Sequence, residues 1–187
     1  MGLDITAYSN LKFLRGKEGD HYDGYIHVYQ DSSFPDHCEL EEGYYDETSK
    51  TRTHTFRAGS YSGYNEFRNI LAQCTLGVTT DVVWEDDSYE TRPFYKIINF
   101  SDCHGSIGPK YSADLYREFV DNRDRFIRNL KQEIDFTKET ENPLALEPEF
   151  ILDLNLDQGD IEYYIGVYDN LTRAFELAKD DGLVEFH

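Results

Sequence analysis

Thr51-Arg52-Thr53-His54-Thr55-Phe56-Arg57-Ala58-Gly59-Ser60-Tyr61-Ser62-Gly63-Tyr64-Asn65-Glu66-Phe67-Arg68-Asn69-Ile70-Leu71 changes its periodicity part-way along. Thr51 to Arg57 is β-branched and aromatic, a composition that suits a pleated strand. From Tyr64 onward the apolar residues Tyr64, Phe67, Ile70 and Leu71 recur at helical spacing. Ser60-Tyr61-Ser62-Gly63 between them has turn composition. The stretch therefore predicts strand, turn and helix, with Ser62 or Gly63 as the N-cap and Glu66 where an acidic side chain favours a helix start. The helix is expected to stop near Gly77.

Towards the amino terminus, Leu3, Ile5 and Ala7 alternate with Asp4 and Thr6, so Met1 to Tyr8 predicts a half-buried strand. Gly16 to Gly19 is turn-rich. Tyr22 to Tyr29 predicts a second strand with His27 on the face of Tyr25 and Tyr29, and Asp31 to Glu47 an exposed acidic loop. Towards the carboxyl terminus, Asp81 to Arg92 predicts an acidic loop around a buried Trp84. Phe94 to Phe100 is short and apolar and is read as a strand, and Ser101 to Pro109 as a second small-residue turn that feeds a helix from about Ser112 to Ile134. Thr137 to Gly159 predicts a long connection, and Asp160 to Lys179 a last helix with Gly182 as its C-cap. Leu183 to His187 is expected to return as an edge strand. The sum is an α+β fold in one domain, 1–187: a small mixed sheet, about three covering helices and long acidic loops.

Composition limits the partners. The 187 residues hold 18 Lys+Arg against 37 Asp+Glu, a formal net charge of −19. A charge of that sign repels a phosphate backbone, so direct nucleic-acid binding is not expected, whereas a basic protein partner is. At 39% hydrophobic and 15% aromatic the chain has the apolar groups that a disordered acidic tail lacks. No run is long and apolar enough to span a bilayer, and Asp4 stands where a signal peptide would carry a cation. No membrane association and a cytoplasmic location are the expectations. Cys38, Cys74 and Cys103 have no disulfide-scaffold spacing, which fits a reducing compartment, and Cys74 reads as packing.

Candidate chemistry gathers at the two small-residue bends. A helix start leaves backbone N–H groups unpaired and carries partial positive charge, so the first bend has the makings of an anion site. Arg57 and Arg68 would add charged donors, Ser60, Ser62 and Asn65 neutral ones, and Tyr61 and Tyr64 rings to stack on a base or sugar. The alternative is that the glycines serve turn geometry, the serines cap the helix and the arginines pair with surplus carboxylates. In the second bend His104 supplies an imidazole, the side-chain type that can exchange protons near neutrality, and Asp102 would orient it if the side chains meet. Cys103 beside His104 has the residue types of a thiol nucleophile, although such pairs generally come from separated positions. His37-Cys38 and Cys103-His104 lack zinc-finger spacing, so neither a metal nor another cofactor is expected.

The start Met1-Gly2-Leu3-Asp4-Ile5, the segment Phe56 to Asn65, Asn99-Phe100-Ser101-Asp102-Cys103 with Gly105 and Ile107-Gly108-Pro109, and the end Val184-Glu185-Phe186-His187 resemble an uncharacterised family of small phage and bacterial proteins. The resemblance implies a mobile-element origin and carries over no catalytic residue; it implies Glu in relatives where His104 stands here. Two functional expectations follow. The first is an acidic, non-enzymatic binding protein, such as a phage-encoded inhibitor that occupies a basic site on a host defence or nucleic-acid-processing protein. The second is a pocket at Arg57, Ser60, Tyr61, Ser62, Tyr64, Asn65, Arg68, Asp102 and His104 that sequesters or hydrolyses a phosphate-bearing small molecule such as a nucleotide. It requires the two bends to lie side by side at one end of the sheet.

Overall fold

In the computed structural model, which describes residues 2–15, 25–31, 33–34, 36–131 and 156–187, the strands are β1 (Gly2–Tyr8), β2 (Lys12–Arg15), β3 (Ile26–Val28), β4 (Gly43–Asp46), β5 (Thr53–Ser60), β6 (Gly105–Ile107) and β7 (Leu183–Phe186). The helices are α1 (Tyr61–Leu76), α2 (Thr80–Glu85), α3 (Tyr95–Ile98), α4 (Pro109–Leu130) and α5 (Gln158–Ala178), with a 3-10 turn at Asp87–Tyr89. The alternation at the amino terminus works as strand chemistry requires: Leu3, Ile5 and Ala7 of β1 are fully buried. Strands lie in the order β5-β1-β7-β6 in the main sheet and β2-β4-β3 in a smaller one. Every pairing is antiparallel.

This is the α+β fold expected, with small sheets and three longer helices. Helix α5 packs across β1, β5 and β7, α1 packs on β5 and α4, and α4 lies along α5. Their facing side chains, Phe67, Phe119, Phe126, Tyr168 and Phe175, form a fully buried aromatic centre. Each such ring removed from water contributes roughly 1.5–3 kcal/mol. Among the described residues no helix is long and apolar enough to cross a membrane.

Several local expectations are corrected. Phe94 to Phe100 contains the short helix α3, not a strand; Ile97 and Ile98 are buried, and an apolar run this short carries no periodicity to separate the two states. Asp81 to Arg92 is largely helical through α2 and the 3-10 turn, and Trp84 is 47% exposed rather than buried. Part of the acidic loop is β4, where Tyr44 and Tyr45 are buried. Strand β7 is interior, because Gly105-Ser106-Ile107, read as turn, pairs beyond it. Gly182 does not supply a left-handed cap: a Cβ there would lie 1.9 Å from the Tyr8 carbonyl oxygen, so its smallness permits a close approach. Asp181 takes the left-handed conformation instead, with φ 48°. The strand expected over Tyr22 to Tyr29 is described only from Tyr25, where β3 occupies Ile26–Val28. The turn at Gly16 to Gly19 and most of the connection Thr137 to Gly159 lie outside the described residues.

Candidate functional site

The chain passes from β5 directly into α1. Ser60, not Ser62 or Gly63, is the N-cap: its backbone is extended and its Oγ accepts from the Gly63 N–H at 3.0 Å. Ser62 Oγ lies 3.0 Å from Ser60 Oγ. Gly77 closes the helix in the left-handed conformation, its N–H donating to the carbonyls of Ala72 and Gln73.

The first bend is filled by the protein itself. Tyr163 of α5 donates its hydroxyl to the Ala58 carbonyl at 2.6 Å. A Cβ on Gly59, which has φ +110°, would stand 2.4 Å from that phenol oxygen. Gly59 thus answers both a backbone conformation and a neighbour. Arg57 is 62% exposed, and its Nη1 lies 3.6 Å from Asp4 Oδ2. Its guanidinium also covers Gly2, where a Cβ would be 1.9 Å from Nη2. Tyr61 packs at the edge of the core.

Three further candidates form a polar knot. Arg68, buried on the inner side of α1, donates from Nη1 to the carbonyls of Ile98, at 3.0 Å, and Phe100. Its Nη2 donates to Asn65 Oδ1 and lies 3.9 Å from Asp102 Oδ2. Asn65 Nδ2 in turn donates to Asp102 Oδ2 at 2.5 Å. The Tyr64 and Trp84 rings flank the guanidinium, 5.6 and 5.9 Å from its carbon, and Trp84 Nε1 donates to the Ile98 carbonyl at 3.3 Å. The knot therefore satisfies carbonyls at the end of α3 that have no helical partner. Tyr64 is fully buried, so its ring is not available to stack on a ligand. Burial pushes its phenol well above the ordinary value, and the hydroxyl has no partner among the described residues.

The second bend follows. Ser101 Oγ accepts from the N–H groups of Cys103 and His104, at 3.3 and 3.1 Å. Asp102, tied to Asn65 and Arg68, does not orient His104. The carboxylate beside the ring is that of Asp31, whose Oδ2 is 3.0 Å from His104 Nε2.

The two bends meet only in part. Three successive antiparallel pairings make β6 run opposite to β5, so the chain enters β6 at the end of the sheet where it leaves β5. Helix α4 then begins at the other end. The residues brought together are Tyr64, Asn65, Arg68 and Asp102; Arg57, Ser60, Tyr61 and Ser62 stay on the outer side of the first bend, and His104 turns to the loop of Asp31. The two helix starts do not share a hollow.

The start of α4 does hold an anion, and it is internal. Glu39 Oε2 accepts from the N–H groups of Lys110 and Tyr111 at 2.6 and 3.3 Å, the contact that a helix dipole favours. A polar cleft of about 420 Å³ beside it is lined by Gln30, Asp36, Cys38, Glu39, Lys110 and Tyr111. None of the expected site residues lines it.

No family model, curated protein or solved structure matches this chain. Its chemistry is read from its own residues. Asp31 and Tyr163 were not singled out from sequence and Glu39 was read only as part of an exposed acidic run, because each acts on a segment distant in the chain.

Proposed function

We propose that the protein is an acidic binding protein whose face at Asp81 to Glu90 engages a basic protein partner. One observation carries the reading. Asp81, Glu85, Asp86, Asp87 and Glu90 are all exposed around Val82 and Trp84, which are 41% and 47% exposed. The ten positions contain no lysine or arginine, and among the described residues no cation pairs with these carboxylates. Some carboxylates elsewhere are partnered, as Asp114 is by Lys96 at 2.7 Å and Asp169 by Arg123 at 2.8 Å. An exposed indole within a ring of unpaired charge has the composition of an interface anchor with a polar rim. The partner it fits presents clustered Lys and Arg around an apolar residue. A groove that itself binds nucleic acid is one such surface, and an inhibitor of a host nucleic-acid-processing protein would act by filling it.

The phosphate-ligand reading has less support. A phosphate at the first bend would have to displace Arg57 from Asp4 and the Tyr163 phenol from Ala58, while Arg68 already donates to main-chain carbonyls.

Trp84 is the only tryptophan, so its emission reports on the face directly. Titration with a Lys/Arg-rich peptide carrying one central Leu should shift that emission saturably, with an affinity that falls steeply between low and physiological salt. Emission that does not change, or an affinity insensitive to salt, overturns the proposal.

A further inference from the structure

Cys103, His104 and Asp31 are connected by two close contacts. Cys103 Sγ is 3.1 Å from His104 Nδ1, and His104 Nε2 is 3.0 Å from Asp31 Oδ2. The Asp31 side chain is 9% exposed. Its Oδ1 accepts from the Ser33 N–H at 2.8 Å, and its own carbonyl accepts from the Phe34 N–H at 3.1 Å, so the carboxylate is held in place. Its Oδ2 makes no hydrogen bond among the described residues, and its approach to His104 Nε2 is an ion-pair distance. That oxygen lies over Gly105, where a Cβ would be 3.5 Å away.

A buried, unpartnered carboxylate 3.0 Å from Nε2 favours the neutral tautomer protonated on Nε2, which leaves the Nδ1 lone pair for the thiol. The same carboxylate stabilises the imidazolium formed when Nδ1 takes the thiol proton. Cys103 is the partly exposed cysteine of the three; Cys38 and Cys74 are buried. The amides beside it already donate to Ser101 Oγ, so they are not free to stabilise an oxyanion, which disfavours acyl transfer. Thiol–disulfide exchange needs no such donors.

We propose that Cys103 is an activated thiol that exchanges with a disulfide on another molecule. His104 Nδ1 takes the Cys103 proton, Cys103 Sγ attacks one sulfur of the disulfide, the new S–S bond forms as the old one breaks, and the departing thiolate takes the proton from His104. The balance is one thiol and one disulfide on each side. Asp31 is a positioning residue. The net charge of −19 works against pairing of two copies through Cys103, so the partner sulfur belongs to a neutral or basic molecule.

The test follows the reaction of the full chain with a neutral dipyridyl disulfide by release of the pyridinethione, with mass spectrometry locating the label. Native Cys103 should react about three- to tenfold faster than the same cysteine in the urea-unfolded chain at neutral pH, because His104 Nδ1 stands beside Sγ to take the thiol proton as the sulfur attacks. Cys38 and Cys74 should stay unlabelled in the native protein and serve as internal controls. His104→Gln, at a side chain 56% exposed, should bring Cys103 to the unfolded-chain rate. Asp31→Asn should lower the rate and change the His104 ring ¹⁵N shifts from a single Nε2–H tautomer to a mixture, a signature that a merely structural role would not produce. A native rate no faster than the unfolded one, or a rate unchanged in His104→Gln, overturns the proposal. Neither outcome bears on the acidic face.

Discussion

Arg68 and the Asp81–Glu90 face lie beside each other, joined through Trp84, yet they treat charge in opposite ways. Arg68 is 6% exposed at its side chain, and both terminal nitrogens are engaged by Ile98, Phe100, Asn65 and Asp102. The carboxylates of the face are exposed and, among the described residues, have no cation. A buried charge is tolerated only when paired and hydrogen-bonded, so Arg68 is committed to structure. An exposed surplus charge costs little and remains available to a partner. In a chain where cations are outnumbered two to one, Arg68 is used up inside the fold while the carboxylates of this face are left exposed.

The sharpest way to break this contrast is to remove the buried cation. Arg68→Leu should destabilise the protein by about 3–5 kcal/mol in urea unfolding, because the Phe100 carbonyl and Asn65 Oδ1 lose their donor, the Ile98 carbonyl keeps only Trp84, and Asp102 loses its cation. Arg57→Ala, at an exposed ion pair, should cost no more than about 1 kcal/mol. Similar losses for the two arginines would erase the distinction. Glu39→Ala tests whether an anion at the α4 start is structural too; an expected loss of about 1 kcal/mol follows from unpairing the N–H groups of Lys110 and Tyr111. No change there would mean that the helix start is satisfied by water.

A smaller effect concerns carboxyls that are buried rather than free. Burial raises Glu118 and Glu185 above the ordinary carboxyl range, although the Phe94 N–H opposes the shift at Glu118. A group with a raised folded pKa binds its proton more tightly in the folded chain. Its contribution is therefore fully present below the unfolded value of about 4.3 and is lost as pH rises through the raised one. Stability should thus increase as pH falls from 7 toward that window. Lower still, it should decline as Asp114, held below the ordinary range chiefly by its hydrogen bond to Lys96, is protonated. Glu118→Gln keeps an acceptor for Phe94 and should flatten the rise. Urea midpoints at several pH values check this, and a midpoint that drops steadily from pH 7 would contradict it.

Much of the framework was legible because it is local. The alternation of Leu3, Ile5 and Ala7, the helical spacing of Phe67, Ile70 and Leu71, and Gly77 at the end of α1 each carry their structure in a few neighbouring residues. Strand β6 was not legible: its three residues are Gly, Ser and Ile, and pairing with β7 alone makes them a strand. The site was legible in pieces. Asn65, Arg68 and Asp102 do meet, but sequence does not distinguish an arginine that awaits an anion from one that caps α3. The adjacency of Cys103 and His104 was visible, whereas Asp31, distant in the chain, required the fold.

The claim that the Asp81–Glu90 carboxylates form the binding surface is tested most directly by two variants of equal charge. One carries Asp81→Asn, Glu85→Gln, Asp87→Asn and Glu90→Gln; the other carries Glu66→Gln, Asp121→Asn, Asp124→Asn and Glu162→Gln, at exposed sites on other helices. Titrated at the same ionic strength with the Lys/Arg-rich peptide, the first should lose most of the Trp84 response while the second keeps an affinity close to that of the parent. Equal losses in both would show that overall charge, and not this face, draws the partner.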